Sequence, residues 1–309
     1  MQKRSVQAPS AAVMIRPHCF RPNPETEADN AFQSKPNDQE LSKLAARAYE
    51  EVTLAAETLR ELGVRIDLFE DNSGDTPDSV FPNNWFSTHP GGHVAIYPMF
   101  PVNRRAERRM DVIELLKRDF RVQDVIDYSG LEPDNLFLEG TGAMVLDHVD
   151  RVAYVIRSNR ADPVLLERFC THFNYEPMVF DAVDRGGSAI YHTNVLMCIA
   201  TDFAMIGTEM IPDATRAHEI VSRLGETGRD VVNLTASQIE NFAGNAIELQ
   251  GRGGRLLALS EKAFECLTDR QRHLIAQSTT LVPLSIPTIE MAGGSVRCMI
   301  AGNHLAERG

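Results

Sequence analysis

Along residues 40–62 apolar side chains return every three or four positions, at Leu41, Leu44, Ala45, Ala48, Val52, Ala55, Ala56, Leu59 and Leu62, and Gly63 follows. That period marks an amphipathic helix stopped by a glycine. Helical spacing also predicts helices over 104–118 (Met110, Ile113, Leu115, Leu116), 163–173, 214–224 and 261–277. The last three carry start signals: Asp162 before Pro163, Pro212-Asp213, and Ser260, side chains that cap a helix N-terminus. Between the helices lie short β-rich runs at 13–15, 94–98, 143–146, 152–156, 195–199, 203–206, 246–249, 256–259 and 296–300. His148-Val149-Asp150-Arg151, Ala200-Thr201-Asp202 and Gly251-Arg252-Gly253-Gly254 predict hairpin turns. Helix starts at 104, 163, 214 and 261 lie 59, 51 and 47 residues apart. A strand-plus-helix unit recurring about every 50 residues predicts a radially repeated α/β fold. An ordinary doubly wound parallel sheet fits less well, because hairpins between helices do not suit it.

Composition narrows the function classes. The 309 residues are 43% hydrophobic, with 31 basic and 43 acidic side chains and a net charge of −12. That describes a globular chain and disfavours nucleic acid or an anionic membrane as partner. No apolar run reaches the ~18 residues of a membrane span, and residues 1–10 lack the apolar core of a secretory signal. Cys19, Cys170, Cys198, Cys266 and Cys298 are odd in number and far apart. This spacing argues against a disulfide framework and a structural zinc site, and for a reduced, cytoplasmic setting. Residues 1–12 are expected to be a flexible tail, and 13–309 a single catalytic domain. The stretch 22–38, with Pro22, Pro24 and Pro36, has the length and polarity of a lid loop.

Four segments carry candidate chemistry. Asn83 and Asn84 precede the only tryptophan in Pro77-Asp78-Ser79-Val80-Phe81-Pro82-Asn83-Asn84-Trp85, either as pocket amides or as a plain turn. Glu139 stands before Gly140-Thr141-Gly142, where glycines permit close backbone approach to a ligand. His192, in Tyr191-His192-Thr193-Asn194, sits at a strand mouth as a candidate proton carrier. Gly293-Gly294-Ser295-Val296-Arg297-Cys298 places a thiol beside an arginine after a glycine-rich loop, a setting for a nucleophilic cysteine. Cys170, Cys198 and Cys266 read as structural thiols, and Cys19 as the competitor.

At these segments the chain resembles the guanidine-modifying enzymes of the pentein superfamily, from Val13 to Cys298. The features that carry the resemblance are Glu139-Gly140, His192-x-Asn194 and the glycine-rich Arg297-Cys298-Met299. The segment at 77–81 is similar to the dimethylarginine hydrolase pattern. The nearest branch is the citrulline-utilisation, arginine-deiminase-related one. The resemblance implies a five-bladed α/β propeller with pseudo-fivefold symmetry. It implies Cys298 as nucleophile, His192 as acid/base and Glu139 as its carboxylate partner. It assigns Asp78 a substrate contact, and Arg104 and Arg160 the substrate α-carboxylate. Phe81 would pack on the aliphatic stem.

Two positions depart from the arginine deiminase pattern. Asn84 and Asn194 stand where those enzymes carry aspartates. Carboxylates suit a guanidinium cation, whereas amides both donate and accept and so match a neutral ureido group. The expectation is a citrulline ureidase, converting L-citrulline and water to L-ornithine, CO2 and ammonia. Asn84 and Asn194 would hold the ureido group, with Asn83 in support, and no cofactor or metal is required. The alternatives are an arginine dihydrolase, an arginine deiminase or dimethylargininase, an amidinotransferase, and a non-catalytic pentein binding protein. The partner expected is a small amino acid, and a homo-oligomer is compatible with the sequence.

Overall fold

The computed structural model describes residues 6–28, 30–34 and 38–309. Five three-stranded sheets carry the fold. In the order inner, middle, outer strand, the first is Ala301–Asn303, Ala11–Pro17 and Arg65–Asp71. The second is Phe86–His89, His93–Ile96 and Asp124–Asp127. The third is Met144–Asp147, Val152–Ile156 and Glu176–Phe180. The fourth is Met197–Ile199, Phe203–Ile206 and Asp230–Asn233. The fifth is Ile247–Gly251, Gly254–Ser260 and Thr280–Leu284. In each, the inner and middle strands are antiparallel and the middle and outer strands parallel. A parallel step needs a crossover, and a helix provides it every time. The result is the expected five-bladed α/β propeller.

The helices form for the reasons visible in the sequence. Asp162 accepts from the backbone N–H of Val164 and Leu165, and Asp213 from those of Thr215 and Arg216. In helix Asp38–Glu61 the side chains of Leu44, Ala48, Val52, Ala56 and Leu59 are buried against the first and fifth sheets. Burying each of the larger ones contributes about 1.5–3 kcal/mol.

Several boundaries differ from expectation. The helix expected from 104 begins at Met110, after a separate 3-10 turn Asn103–Glu107. Arg104 is buried in that turn, and Arg108 and Arg109 are extended. Starts at 110, 163, 214 and 261 are thus more evenly spaced than expected. The helix over 261–277 splits into Glu261–Cys266 and Asp269–Ala276, because Thr268 and Gln271 form a capping box. The apolar run 296–300 is not a strand. It is the helical turn Val296–Met299, followed by Ala301–Asn303. The 195–199 strand likewise starts late, after the turn Thr193–Leu196. An apolar run buried on all sides has no period to tell strand from helix.

Residues 7–12 of the expected tail are packed into the fold. Residues 1–5 and Pro36 lie outside the described residues. Gln7 is buried, and its amide donates to the carbonyls of Leu146 and Ile199 while accepting from the N–H of His148. The strand then starts at Ala11. Among the described residues no helix is long and apolar enough to cross a membrane.

Candidate active site

Four inner strands are entered through a single short turn: Pro82–Asn84, Gly140–Ala143, Thr193–Leu196 and Val296–Met299. Pseudosymmetry sets these turns at one end of the propeller, where they pack on one another. They bring together Asn84, Asn194 and Cys298, with Glu139 and His192 at the N-terminal edges of their turns. Asp78, Phe81, Asn84, Arg104, His192 and Cys298 line one narrow pocket of about 10 Å3. Arg160 and Tyr191 line it as well.

The Cys298 thiol is buried, and two amides point at it. Asn194 Nδ2 and Asn245 Nδ2 each lie 3.2 Å from Sγ. Asn245 was not foreseen. Its Oδ1 accepts from the Arg297 N–H at 3.0 Å, and its Nδ2 also donates to the Asn194 carbonyl at 3.0 Å. One side chain thus ties the nucleophile's turn to that of Asn194. Cys19, the competing thiol, is exposed and does not line this pocket.

His192 Nε2 lies 2.8 Å from Glu139 Oε2. A carboxylate only accepts, so Nε2 carries the proton and Nδ1 presents a lone pair. Burial drives the His192 pKa down to about 4, although Glu139 pulls it upward. Burial would raise Glu139, but Arg160, His192 and Arg104 together hold it at about 2. The Phe100 N–H also donates to Glu139 Oε1 at 2.9 Å. Gly142 is needed for packing rather than for ligand approach: a Cβ there would lie 2.0 Å from Asn84 Nδ2 and 2.8 Å from His192 Nδ1. Gly140 has φ of +47°, and a Cβ would meet the Asn83 carbonyl at 2.4 Å.

The charged wall is crowded. Arg104 makes a fork on Glu107, with Nε–Oε1 at 3.0 Å and Nη2–Oε2 at 2.9 Å. Its Nη1 donates to Asn84 Oδ1 at 3.0 Å. Arg104 therefore differs from expectation: its fork is closed by a protein carboxylate, not open for a substrate one. Glu107 was not foreseen, and burial raises its pKa. Arg160 lies 3.4 Å from Glu139 and over the Tyr191 ring. Asp78 Oδ2 accepts from Asn23 Nδ2 at 2.8 Å, and burial raises its pKa. Asn83 is buried beneath the site, where its carbonyl accepts from Thr141 Oγ1. Its side chain does not line the pocket. Phe81 packs on Gly294, where a Cβ would lie 2.7 Å from the ring. The loop before residue 35 crosses the pocket, bringing Thr26 and Asn30 to its wall, and Asn30 Nδ2 donates to the Ala292 carbonyl.

The family model for eukaryotic N,N-dimethylarginine dimethylhydrolase matches residues 16–305. The chain belongs to this family. It is thus a member of the pentein guanidine-modifying superfamily and of a hydrolase family acting on carbon–nitrogen bonds. Solved structures agree on the fold. The substrate-bound N-terminal domain of ArgZ, an arginine dihydrolase from the ornithine-ammonia cycle in cyanobacteria, is similar at TM-score 0.71 and 16% identity. That match covers 94% of this chain and 96% of the other. AgrE in complex with L-arginine is similar at TM-score 0.71 and 17% identity, over 94% and 39% of the two chains. A dimethylarginine dimethylaminohydrolase adduct is similar at TM-score 0.64 and 11% identity, over 96% and 99%. The chain spans 40% of full-length ArgZ. No curated protein matches the sequence.

Proposed function

We propose that this pentein hydrolase is a citrulline ureidase. One observation carries the reading: beside the thiol stand one unused amide donor, on Asn84 in the pocket wall, and one unused amide acceptor, on Asn194, whose Nδ2 touches the thiol. Asn84 Oδ1 is taken by Arg104, which only donates, so the amide orientation is set and Nδ2 is left without a partner among the described residues. Asn194 Nδ2 is turned to Cys298 Sγ, and Oδ1 is left without a partner among them. A ureido group has a carbonyl for the first and N–H for the second. A guanidinium has no acceptor for Asn84 Nδ2.

In the proposed reaction Cys298 Sγ attacks the ureido carbon as its proton passes to His192 Nδ1. The imidazolium, stabilised by Glu139, returns that proton to the departing ornithine nitrogen. A carbamoyl thioester remains on Cys298. His192 then activates water, and carbamate leaves and breaks down to CO2 and ammonia. Asp78 receives the substrate ammonium, Arg160 its carboxylate, and Phe81 its aliphatic stem.

A second reading is arginine dihydrolase, favoured by the fold shared with ArgZ. There the same thiol first takes arginine to the ureido stage. Incubation with citrulline, arginine or dimethylarginine, with assay of ornithine, citrulline and ammonia, separates the readings. Ornithine from citrulline supports the proposal. Citrulline accumulating from arginine sinks it, and ornithine from arginine favours the dihydrolase.

A further inference from the structure

Arg297 and Cys298 are consecutive yet line different cavities. The one reached by Arg297 lies on the propeller axis. Its walls include Phe86, Leu146, Cys198, Ile247 and Gly302, one position from every inner strand or its pair. It holds about 40 Å3, room for roughly three waters.

Arg297 reaches this cavity as a cation without a counter-ion. Its guanidinium donates from Nη1 to the Ile300 carbonyl at 3.0 Å, and no carboxylate lies within ion-pair distance among the described residues. Burial lowers its pKa. The carboxylate on the wall, Glu248, has one oxygen committed elsewhere and the other, Oε1, without a hydrogen-bond partner among the described residues. Its Oε2 accepts from Thr201 N–H at 2.8 Å and Oγ1 at 2.6 Å, and Oε1 lies 3.8 Å from Arg255. His148 and His304 lie together on the same wall, their ring centroids 4.0 Å apart and their planes tilted by 36°. His148 Nδ1 is bonded to the Tyr175 hydroxyl, which leaves Nε2 as its second polar atom. Burial disfavours the charged form of both rings, so beside the Glu248 carboxylate the wall carries one full positive charge, that of Arg297. An uncompensated buried cation is costly unless an opposite charge reaches it.

We propose that the axial cavity binds a small monovalent anion, of halide size, against the Arg297 guanidinium. The size follows from the volume. The single charge follows from one arginine facing a cavity that also contains Glu248, which repels a multivalent anion. Such an ion would fix the residue immediately before the nucleophile.

Chloride is the probe. In the whole protein, Tm should rise with the logarithm of chloride concentration once chloride exceeds its Kd, while gluconate at matched ionic strength leaves it unchanged. Crystals soaked in bromide should show anomalous scattering beside Arg297. R297Q should lose the shift, and R297K, which keeps the charge, should retain it. In E248Q the rise should begin at several-fold lower chloride. A Tm that tracks ionic strength whatever the anion, or bromide absent from the cavity, overturns the proposal. If R297Q does not fold, the wild-type titration and bromide map still decide.

Discussion

His192 and His89 are both almost wholly buried, at 2% and 1% exposure, and the difference between them is a carboxylate. His192 is bonded to Glu139. His89 has Ser87 Oγ at 2.7 Å, lies 4.2 Å from the Phe173 ring, and leaves Nδ1 without a partner among the described residues. Burial pushes the pKa of both down, and that of His89 well down with nothing to oppose it. Protonated His192 has an anion waiting, whereas protonated His89 has none. Depth of burial does not make a histidine a proton carrier; the partner does.

The comparison breaks most sharply at the nucleophile that His192 serves. C298A should lower turnover of citrulline by roughly 10⁴-fold or more with the fold intact, as far-UV circular dichroism would confirm. E139Q makes His192 resemble His89, and should lower kcat by about 10²–10³-fold with little change in KM. In the wild type, kcat/KM should hold down to about pH 5 and fall only as His192 protonates near its pKa of about 4. An acid limb at the ordinary histidine value would contradict the neutral, buried imidazole. N84D should raise the kcat/KM ratio of arginine over citrulline by about tenfold, and an unchanged ratio would remove the amide argument. The smallest effect belongs to His89. H89F should leave kcat within about twofold and flatten the acid side of the stability curve. A group whose folded pKa is depressed lets the unfolded chain bind the extra proton, so stability is full above the unfolded pKa and falls as pH drops below it. Near pH 5 that slope is up to about 1.4 kcal/mol per pH unit for each such histidine. Urea unfolding at pH 5 and 7 measures the difference.

The repeat was legible because the helices carry apolar stripes and caps. The outer strands were not. Asp124–Asp127 and Asp230–Asn233 end in polar residues and lie half open at the sheet edge, so they lack an apolar signature. Cys298, His192 and Glu139 were legible from their motifs, and the structure gathers them. Their turns were misread because Val195 and Val296 are buried on every side. Glu107 and Asn245 were missed for a different reason. Each acts through a contact that appears only on folding, and Phe242-Ala243-Gly244-Asn245 reads as an ordinary turn. A signal existed nevertheless: Asn245 stands just before an inner strand, the place that supplies Asn84, Asn194 and Cys298 in other repeats.

The first sheet joins strands that lie far apart in sequence. Ala11, Ala12 and Val13 pair with Asn303, Gly302 and Ala301. Their wide separation in sequence makes this pairing slow to close, and during synthesis it must wait until residues 301–303 have left the ribosome. Cys298 stands immediately before that closing strand. A growing or C-terminally shortened chain can therefore contain Glu139, His192 and both arginines and still have no nucleophile in place. Reactivity toward the substrate then reports that the ring has closed.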